Sequence, residues 1–412
     1  MIRTKTVLVM AVGAFVWTLG CVAMQAATCS VPSGSYPTIQ SAASDSSCTE
    51  IDVAPGVYNE NVTVNFSTTI NGAQAGNAVG GRISGGPNES TVNGANPVGS
   101  NPVFKIVASD VTIDGFTIKN AITTGAAVGV DVKNTASDAA IMNNIFDGIM
   151  TADTGGNGTG QAVYLEAGPD NVNVQDNEMK NVHGARSTKG VLIGDSSSSN
   201  SSDNVQIKGN SIHDITSDVR GGYAVQINNG NGSTMNSGLK VTNNTISNIN
   251  GGGWVHAIGL EANTPGVMVL DNNISGLNSG SPDSICVWFE ANPSFGAAQV
   301  HTNNFNVTAA SGGIVVHPAL TGGSVNGTCN WWNSPSGPTA ASNPGGTGAQ
   351  VSANVSYQPW LIAPAPGGSC IGGNVPANAN ECKNGGWMTH VRADGSTFKN
   401  QGDCIQYVNN GH

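Results

Sequence analysis

Charged side chains are scarce in this chain, and several other features are missing with them. Only 10% of the 412 residues are Asp, Glu, Lys or Arg, and 15 basic residues face 26 acidic ones. The formal charge of −11 argues against a basic surface for nucleic acid or anionic lipid. No Cys-x-x-Cys pair is present, so zinc and redox motifs have no support. After the N-terminal segment, no apolar run reaches the ~20 residues that a membrane span needs.

The N-terminal segment carries the longest apolar run. Arg3 and Lys5 come first, an apolar run over residues 7–16 continues to Val22, and small residues end the segment at Ala26 and Ala27. This three-part arrangement is typical of a secretory signal peptide and its cleavage site. The sequence therefore predicts a signal peptide over residues 1–27 and a secreted, extracellular protein, with cell-surface association as an alternative.

The cysteines agree with export. Of the eight, Cys21 lies in the predicted signal peptide. Local disulfides suit an oxidising compartment. The expected pairs are Cys29–Cys48, Cys382–Cys404 and, as a third candidate, Cys329–Cys370. Cys286 lies between apolar Ile285 and Val287, which favours a free thiol packed in a strand.

A short phrase recurs through the middle of the chain. Two aliphatic residues stand two apart, Asn follows three positions later, and another apolar residue comes two positions after the Asn. The copies lie at 172–179, 205–212, 239–246 and 267–274, with weaker ones at 141–146, 300–305 and 113–118, where Phe116 takes the place of Asn. The period of roughly 30 residues indicates a repeat architecture.

Each repeat has the pattern of strands. The apolar residues alternate with a period of two, and no helical spacing fits. A second short apolar strand precedes each phrase, at 163–165, 191–193, 225–227, 258–260, 287–289 and 314–316. Strands this short must stack on their counterparts in the next coil to pair their backbone groups. The sequence therefore predicts a parallel solenoid in which the Asn residues form a structural column of stacked amides at a tight turn.

The repeat resembles that of right-handed parallel β-helix proteins, the pectate-lyase-like superfamily and its copper-site-assembly-like relatives. Flanking stretches resemble those proteins as well, at 36–40 (YPTIQ), 51–60 (IDVAPGVYNE), 329–338 (CNWWNSPSGP), 343–346 (NPGG) and 357–360 (YQPW). The resemblance covers residues 36–362 and implies an all-β, right-handed parallel β-helix of about ten coils. It implies no single activity, because this fold carries lyases, hydrolases, esterases, epimerases, adhesins and ice-binding proteins.

The chain divides by composition. The β-helix is expected over residues 28–362, with residues 37–43 as a short helix that caps the first coil. A Pro/Gly-rich linker is expected over 363–380. Residues 381–412 resemble a small Cys-containing module at the ends of many exported bacterial proteins, which implies a bacterial source and no particular chemistry.

Polar and aromatic residues follow the second strands in register. The apolar pairs mark the inward positions, so the residues between and after them point outward, on rungs ~4.8 Å apart. The first outward column is Tyr164, Leu192, Gln226, Gly259, Trp288 and Val315, and the second is Glu166, Gly194, Asn228, Glu261, Glu290 and His317. Stacked glutamates repel each other unless something pairs with them.

Two interpretations of these columns are open. In the first, the surface handles a sugar chain, because two carboxyls ~5 to 5.5 Å apart suit a retaining glycosidase. The catalytic set would be Glu261, Glu290 and His317, and Tyr164, Glu166 and Trp288 would contact substrate. In the second, the columns are a solvated strand surface, with His317 as a turn residue before Pro318.

Basic and aromatic residues gather in the loops that enter the second strands. They include His183, Arg186 and Lys189 in one coil, Arg220 and Tyr223 in the next, and Trp254 and His256 in a third. Arg186 and Arg220 stand at matching places, and a guanidinium suits a carboxylated sugar through paired hydrogen bonds. We therefore count Arg186, Arg220, Tyr223, Trp254 and His256 as candidate substrate-binding residues. An ion pair of an arginine with Asp218 or Asp214 is the alternative.

The sequence predicts a secreted β-helix protein that binds or processes a polysaccharide or cell-surface glycan on an exposed sheet surface. If it is an enzyme, the activity would be that of a lyase, hydrolase or epimerase. The acidic signatures of pectate lyases and polygalacturonases are absent, so calcium has no supporting motif and no cofactor or metal site is expected. The alternative is a non-catalytic, adhesin-like or matrix protein.

Overall fold

The computed structural model describes residues 27–194, 200–228, 235–290, 295–320 and 324–410. Apart from Ala27, the predicted signal peptide lies outside these residues. In the described part, three parallel β-sheets wind into a solenoid of about nine turns, close to the ten expected. The all-β solenoid predicted from the repeat is confirmed.

Each full coil passes through all three sheets, and in two coils the sheet 2 strand is divided into two short segments. Sheet 1 consists of Ala27–Val31, Cys48–Val53, Thr68–Asn71, Val111–Asp114, Ala140–Met142, Asn173–Gln175, Gln206–Lys208, Lys240–Thr242, Met268–Leu270, Gln299–His301, Val325–Asn326 and Val355–Ser356. Sheet 2 consists of Gly56–Asn59, Ser90–Asn93, Phe116–Ile122, Ile145–Thr151, Glu178–Lys180, Val182–Gly184, Ser211–Ser217, Thr245–Gly251, Asn273–Ser275, Leu277–Ser279 and Asn304–Asn306. Sheet 3 consists of Val62–Val64, Phe104–Ile106, Ala127–Val132, Gly160–Leu165, Thr188–Ile193, Gly222–Ile227, Val255–Leu260, Ser284–Phe289, Gly312–Val316, Gly348–Val351 and Pro338–Thr339.

The repeated phrase spans two of these sheets. Its aliphatic pair lies in or beside sheet 1, its Asn makes the turn, and the apolar residue after the Asn begins sheet 2. The sequence pattern did not separate sheet 2, because each copy of the phrase ends at its first inward residue in that sheet, such as Ile212, whereas the strand continues to Ser217. The second strands predicted from the sequence form sheet 3.

A column of buried amides runs along the turn between sheets 1 and 2, as predicted. Its members are Asn144, Asn177, Asn210, Asn244, Asn272, Asn303 and Asn330, all 1% exposed or less. Each amide oxygen accepts from the backbone N–H and the amide of the Asn one coil earlier; the Asn177 N to Asn210 Oδ1 distance is 3.0 Å. Phe116 begins the column, and its N–H donates to Asn144 Oδ1 at 3.0 Å. Asn330 extends the column beyond the copies seen in the sequence.

The solenoid interior is packed with aliphatic residues from all three sheets and with a few aromatic rings. The largest fully buried side chains include Phe104, Phe116, Phe146, Phe289, Phe305 and Trp332. Cys286 is buried among them as a free thiol, as the sequence predicted.

The N-terminal end of the solenoid is closed by the helix Ile39–Ala43. Thr38 is its N-cap, and both oxygens of Glu60 accept hydrogen bonds from the first helical N–H groups. A disulfide between Cys29 and Cys48 links the first two strands of sheet 1, as expected.

The C-terminal part continues beyond the last coil. Trp360–Leu361 and Cys370–Gly372 form a short antiparallel pair, so a strand lies within the expected linker. A 3₁₀ helix at Gly386–Met388 and a helix at Gln401–Asn409 follow. The disulfides Cys329–Cys370 and Cys382–Cys404 both form as predicted. Among the described residues, no helix has the length and apolar character of a membrane span.

Candidate functional site

The outer surface of sheet 3 carries the residues that the sequence singled out. Strand register pairs Tyr164 with Leu192, Leu192 with Gln226, Gln226 with Gly259 and Gly259 with Trp288, so the first predicted column is present as a file of side chains. The file extends one coil further back, because Asp131 pairs with Tyr164.

The three candidate catalytic residues lie on successive rungs. The backbone N–H groups of Glu261, Glu290 and His317 donate to carbonyls at equivalent positions, those of Ile227, Leu260 and Phe289 respectively. The structure therefore brings Glu261, Glu290 and His317 to one edge of sheet 3.

A further column lies at the start of the same strands. On neighbouring strands, each residue of this column is paired in register with the next, and all four are more than nine-tenths buried: Gln161, Lys189, Tyr223 and His256. Tyr223 and His256, expected in entry loops, are thus strand residues whose side chains lie beside the first column.

Aromatic rings form a continuous cluster at the C-terminal end of this surface. Trp254 Nε1 donates to the Tyr223 hydroxyl at 2.6 Å, and Tyr223 meets His256 edge-on. His256 stacks on Trp288 with ring centroids 5.0 Å apart, and Trp288 meets His317 edge-on at 5.8 Å. Gly259 makes room for this packing, because a Cβ there would lie 2.9 Å from Tyr223 Cε1.

Glu261 is held by internal donors. The Tyr223 hydroxyl donates to its Oε1 at 2.8 Å, and Gln226 Nε2 donates to its Oε2 at 2.7 Å. Burial raises the pKa of Tyr223 well above its usual range, so the phenol remains a donor. These hydrogen bonds offset the repulsion expected between stacked glutamates. They also occupy both carboxylate oxygens of Glu261 with protein donors.

His256 lies between two carboxylates. Its Nε2 is 3.4 Å from Asp283 Oδ1, and its Nδ1 is 3.9 Å from Glu261 Oε1. Burial by itself would lower the pKa of His256, but the carboxylates of Asp283 and Glu261 outweigh burial and raise it. The raised pKa favours the charged form of this imidazole, which stacks on the Trp288 ring.

Glu290 and His317 flank Trp288. The indole Nε1 donates to Glu290 Oε2 at 3.3 Å. His317 Nδ1 accepts from the Ala319 N–H at 3.1 Å, so the neutral imidazole carries its proton on Nε2. Both side chains are partly exposed, which leaves them accessible to a molecule lying on the indole.

A groove of about 560 Å³ opens in the N-terminal half of the same surface. Its lining includes Asp131, Lys133, Gln161, Tyr164, Glu166, Lys189, Leu192 and Gln226. The predicted substrate-binding residues Tyr164 and Glu166 therefore lie in the groove, whereas Trp288, Glu290 and His317 lie beyond it along the solenoid axis.

Two buried charged groups occupy the groove. Burial raises the pKa of Asp131 to about 6, an effect that Lys133 reduces and Glu166 increases. Burial lowers the pKa of Lys189 to about 8, and the nearby Glu261 opposes this shift. Glu166 forms an ion pair with Lys133, whose amine also lies 3.5 Å from Asp131 Oδ2. Asp131 Oδ1 and Gln226 Oε1 are buried with no hydrogen-bond partner among the described residues.

The candidate arginines lie in the entry loops of sheet 3. Arg186 is half-buried and Arg220 is exposed, and the Arg220 N–H donates to the Arg186 carbonyl across two coils. Asp218 pairs with His183 at 3.0 Å and Asp214 with His213 at 2.7 Å. In the described residues, the ion pairs of these two aspartates thus go to histidines instead of the arginines.

Sequence analysis missed Asp131, Lys133, Gln161 and the position of Lys189. Extending the first column back by one coil, through the apolar residues Val130 and Val132, would have found Asp131. Lys189 was grouped with a loop, because the sequence gives no sign that its strand begins at Thr188. Burial of these polar groups depends on the loops around the groove and has no local sequence signal.

In the described parts of the chain, no group of three or more His, Cys, Asp or Glu residues is arranged to hold a metal ion. Searches for related proteins give no match, whether against protein-family models, curated proteins or solved structures.

Proposed function

We propose that the protein is secreted and binds a linear polysaccharide along the outer surface of sheet 3. The observation that carries this proposal is the continuity between the groove at Tyr164 and the aromatic cluster at Trp288 on one sheet surface. Polar groups beside aromatic rings are what sugar recognition requires, since rings cover the apolar faces of sugars and polar groups bind hydroxyls.

The length of the surface favours a polymer. The surface spans six consecutive rungs, marked by Asp131, Tyr164, Leu192, Gln226, Gly259 and Trp288. Five steps of ~4.8 Å give a path of roughly 24 Å along the axis. A single small ligand would leave most of this path uncovered, whereas several units of a chain would fill it.

Export is supported by the disulfides. Three disulfides form within the chain: Cys29–Cys48, Cys329–Cys370 and Cys382–Cys404. Disulfides persist in oxidising compartments, which agrees with the signal peptide expected over residues 1–27. An extracellular location would place the protein where polysaccharides are found.

The test is binding to a glycan array, followed by affinity measurement on a retained polysaccharide. Trp288→Ala removes a half-buried ring from the middle of the aromatic cluster and should weaken binding about tenfold or more. Phe66→Ala is the matched control, because this ring is 41% exposed in the turn between Val62–Val64 and Thr68–Asn71, seven strands along sheet 3 from the strand that carries Trp288. Equal affinity of the Trp288 variant and the wild type would overturn the proposal.

Processing of the bound chain is a separate outcome. Glu290 and His317 are the better placed of the three candidate catalytic residues, because both oxygens of Glu261 already accept hydrogen bonds from protein groups. If the protein cleaves or epimerises its ligand, Glu290→Gln should abolish turnover and preserve binding.

A non-catalytic display or matrix role is the second candidate. It is favoured by exposed Asn ladders on the other surfaces, such as Asn93 to Asn59 at 2.9 Å and Asn306 to Asn273 at 2.7 Å. These ladders stiffen a rod and cover it with amides. Absence of any product after long incubation with a polysaccharide that the protein retains would support this role.

A further inference from the structure

We infer that Lys189, Asp131 and Gln226 form a subsite for an acidic sugar unit, with its anionic substituent on the Lys189 amine and neighbouring hydroxyls on Asp131 and Gln226. This inference rests on the proposed polysaccharide binding and adds the class of the ligand. The anionic group is a carboxylate or a sulfate, which share the negative charge and acceptor oxygens that an ammonium group binds.

Lys189 places a buried cation in the groove. Its side chain is 6% exposed, and it forms no salt bridge among the described residues. Within the described ranges its amine donates one hydrogen bond, a long one of 3.4 Å to the Ser187 carbonyl. Glu261 lies near enough to act on the ammonium but forms no salt bridge with it. A buried ammonium without a salt-bridge partner is destabilising, and an apolar residue of similar length would pack there without this cost. An incoming anion would supply the missing partner.

Asp131 and Gln226 place buried acceptor oxygens in the same groove. They are 8% and 4% exposed, and one acceptor oxygen of each is buried with no donor from the part of the chain that the structure describes. Asp131 lies two rungs before Lys189 and Gln226 one rung after it, so the three side chains span roughly 14 Å of the axis. Hydroxyl groups of adjacent sugar units can donate to both oxygens while one unit faces Lys189.

The charged groups that line the groove beside Lys189 and Asp131 are paired with each other. Glu166 binds Lys133, and Glu261 accepts from Tyr223 and Gln226. Of the two lysines that line the groove, Lys133 is paired, whereas Lys189 forms no salt bridge among the described residues and can bind a ligand. Because the whole chain carries a formal charge of −11, its long-range field repels an acidic polymer, so the preference must come from this close contact.

The test compares matched polymers. Alginate is paired with carboxyl-reduced alginate, and dextran sulfate with dextran, so each pair differs only in its anionic group. The wild type should bind at least one acidic polymer about tenfold tighter than its neutral partner. That preference should persist between 50 and 200 mM salt, as expected for a buried contact.

Lys189→Met should remove the preference, so that the acidic and the neutral polymer of each pair bind this variant equally. Lys240→Met is the control, because Lys240 lies exposed on sheet 1 and should change nothing. A melting temperature of the Lys189 variant at or above that of the wild type shows that the fold is intact.

The outcomes separate the two proposals. Equal binding of acidic and neutral polymers by the wild type, or an undiminished preference in the Lys189 variant, overturns the acidic subsite and leaves polysaccharide binding standing. Failure of the wild type to bind any of the four polymers or any glycan on the array overturns both.

Discussion

The side-chain amide of Asn210 links three coils. Its Nδ2 donates to the Val174 carbonyl at 2.9 Å and to Asn244 Oδ1 at 3.0 Å, and its Oδ1 accepts from the backbone and the amide of Asn177. Asn210→Leu would remove the acceptor of the buried Asn177 N–H and one of the donors to the Val174 carbonyl. We expect the free energy of unfolding to fall by roughly 3 kcal/mol, measured as a lower urea midpoint.

Asn278 provides the control, because its amide also belongs to a ladder of stacked asparagines. Its amide donates to Asn250 Oδ1 at 3.1 Å in an exposed ladder on sheet 2, where water replaces a lost bond. Asn278→Leu should therefore change stability by less than about 0.5 kcal/mol. Similar losses for the two variants would show that burial of the amide column does not set its contribution.

His213 gives a pH-dependent prediction. Its Nδ1 is 2.7 Å from Asp214 Oδ2, and its Nε2 is 3.2 Å from Glu178 Oε1. Hydrogen bonding to Glu178 and Asp214 raises the pKa of His213, and bonding to His213 lowers the pKa of both carboxyls. The histidine contribution is complete below its unfolded pKa of about 6.5 and is lost as the pH rises through the raised folded pKa.

The carboxyl contribution has the opposite sign, since it is present above the unfolded pKa of about 4 and is lost as the pH falls. The stability difference between wild type and His213→Gln should therefore be largest near pH 5.5 and shrink toward about pH 8, remaining below about 1 kcal/mol for this partly exposed cluster. Urea unfolding at several pH values measures it, and a difference independent of pH contradicts the assignment.

At the scale of single elements, the cap helix Ile39–Ala43 protects an open sheet edge. The Gln40 amide accepts from the Thr63 N–H at 2.6 Å and donates to the Thr63 carbonyl at 3.2 Å, so one side chain replaces a neighbouring strand. Gln40→Leu should cost roughly 1 kcal/mol and expose the edge strand Val62–Val64 to pairing with other molecules.

Light scattering during size-exclusion chromatography measures the association. Mass should increase with protein concentration for Gln40→Leu and stay constant for Gln206→Leu, a similar substitution in the middle of sheet 1. A monodisperse Gln40 variant would mean that the helix backbone covers the edge without this side chain.

Elements also show how far the sequence predicts this structure. Strand periodicity and the recurring Asn specify the solenoid, its amide column and the outward columns at Glu261 and Trp288, because each depends on residues close together in one copy. The groove was not predicted, because the burial of Asp131 and Lys189 depends on loops from other coils. The role of Glu261 was likewise hidden, since its partners Tyr223 and Gln226 come from the preceding coil.

For the whole molecule, the two C-terminal disulfides stabilise different regions, one at the end of the solenoid and one in the tail. Cys329 lies in the turn that carries the last amide, Asn330, and its bond to Cys370 closes a loop with a sequence separation of 41. Cys382 and Cys404 instead form a small apolar cluster with Phe398, separate from the solenoid core. Coils of a solenoid support their nearest neighbours, so damage at an end spreads inward.

Removing the two bonds should therefore have different effects. The double variant Cys329→Ala, Cys370→Ala loses about 4 kcal/mol of loop-closure entropy in the chain-entropy description and should lower the melting temperature of the solenoid. The double variant Cys382→Ala, Cys404→Ala should leave that transition in place and make the tail after residue 381 sensitive to protease. Circular dichroism on heating and limited proteolysis with mass spectrometry measure both effects. If the tail variant lowers the solenoid transition as much as the first variant does, the tail is part of the same cooperative unit, because its small core then supports the last coils directly.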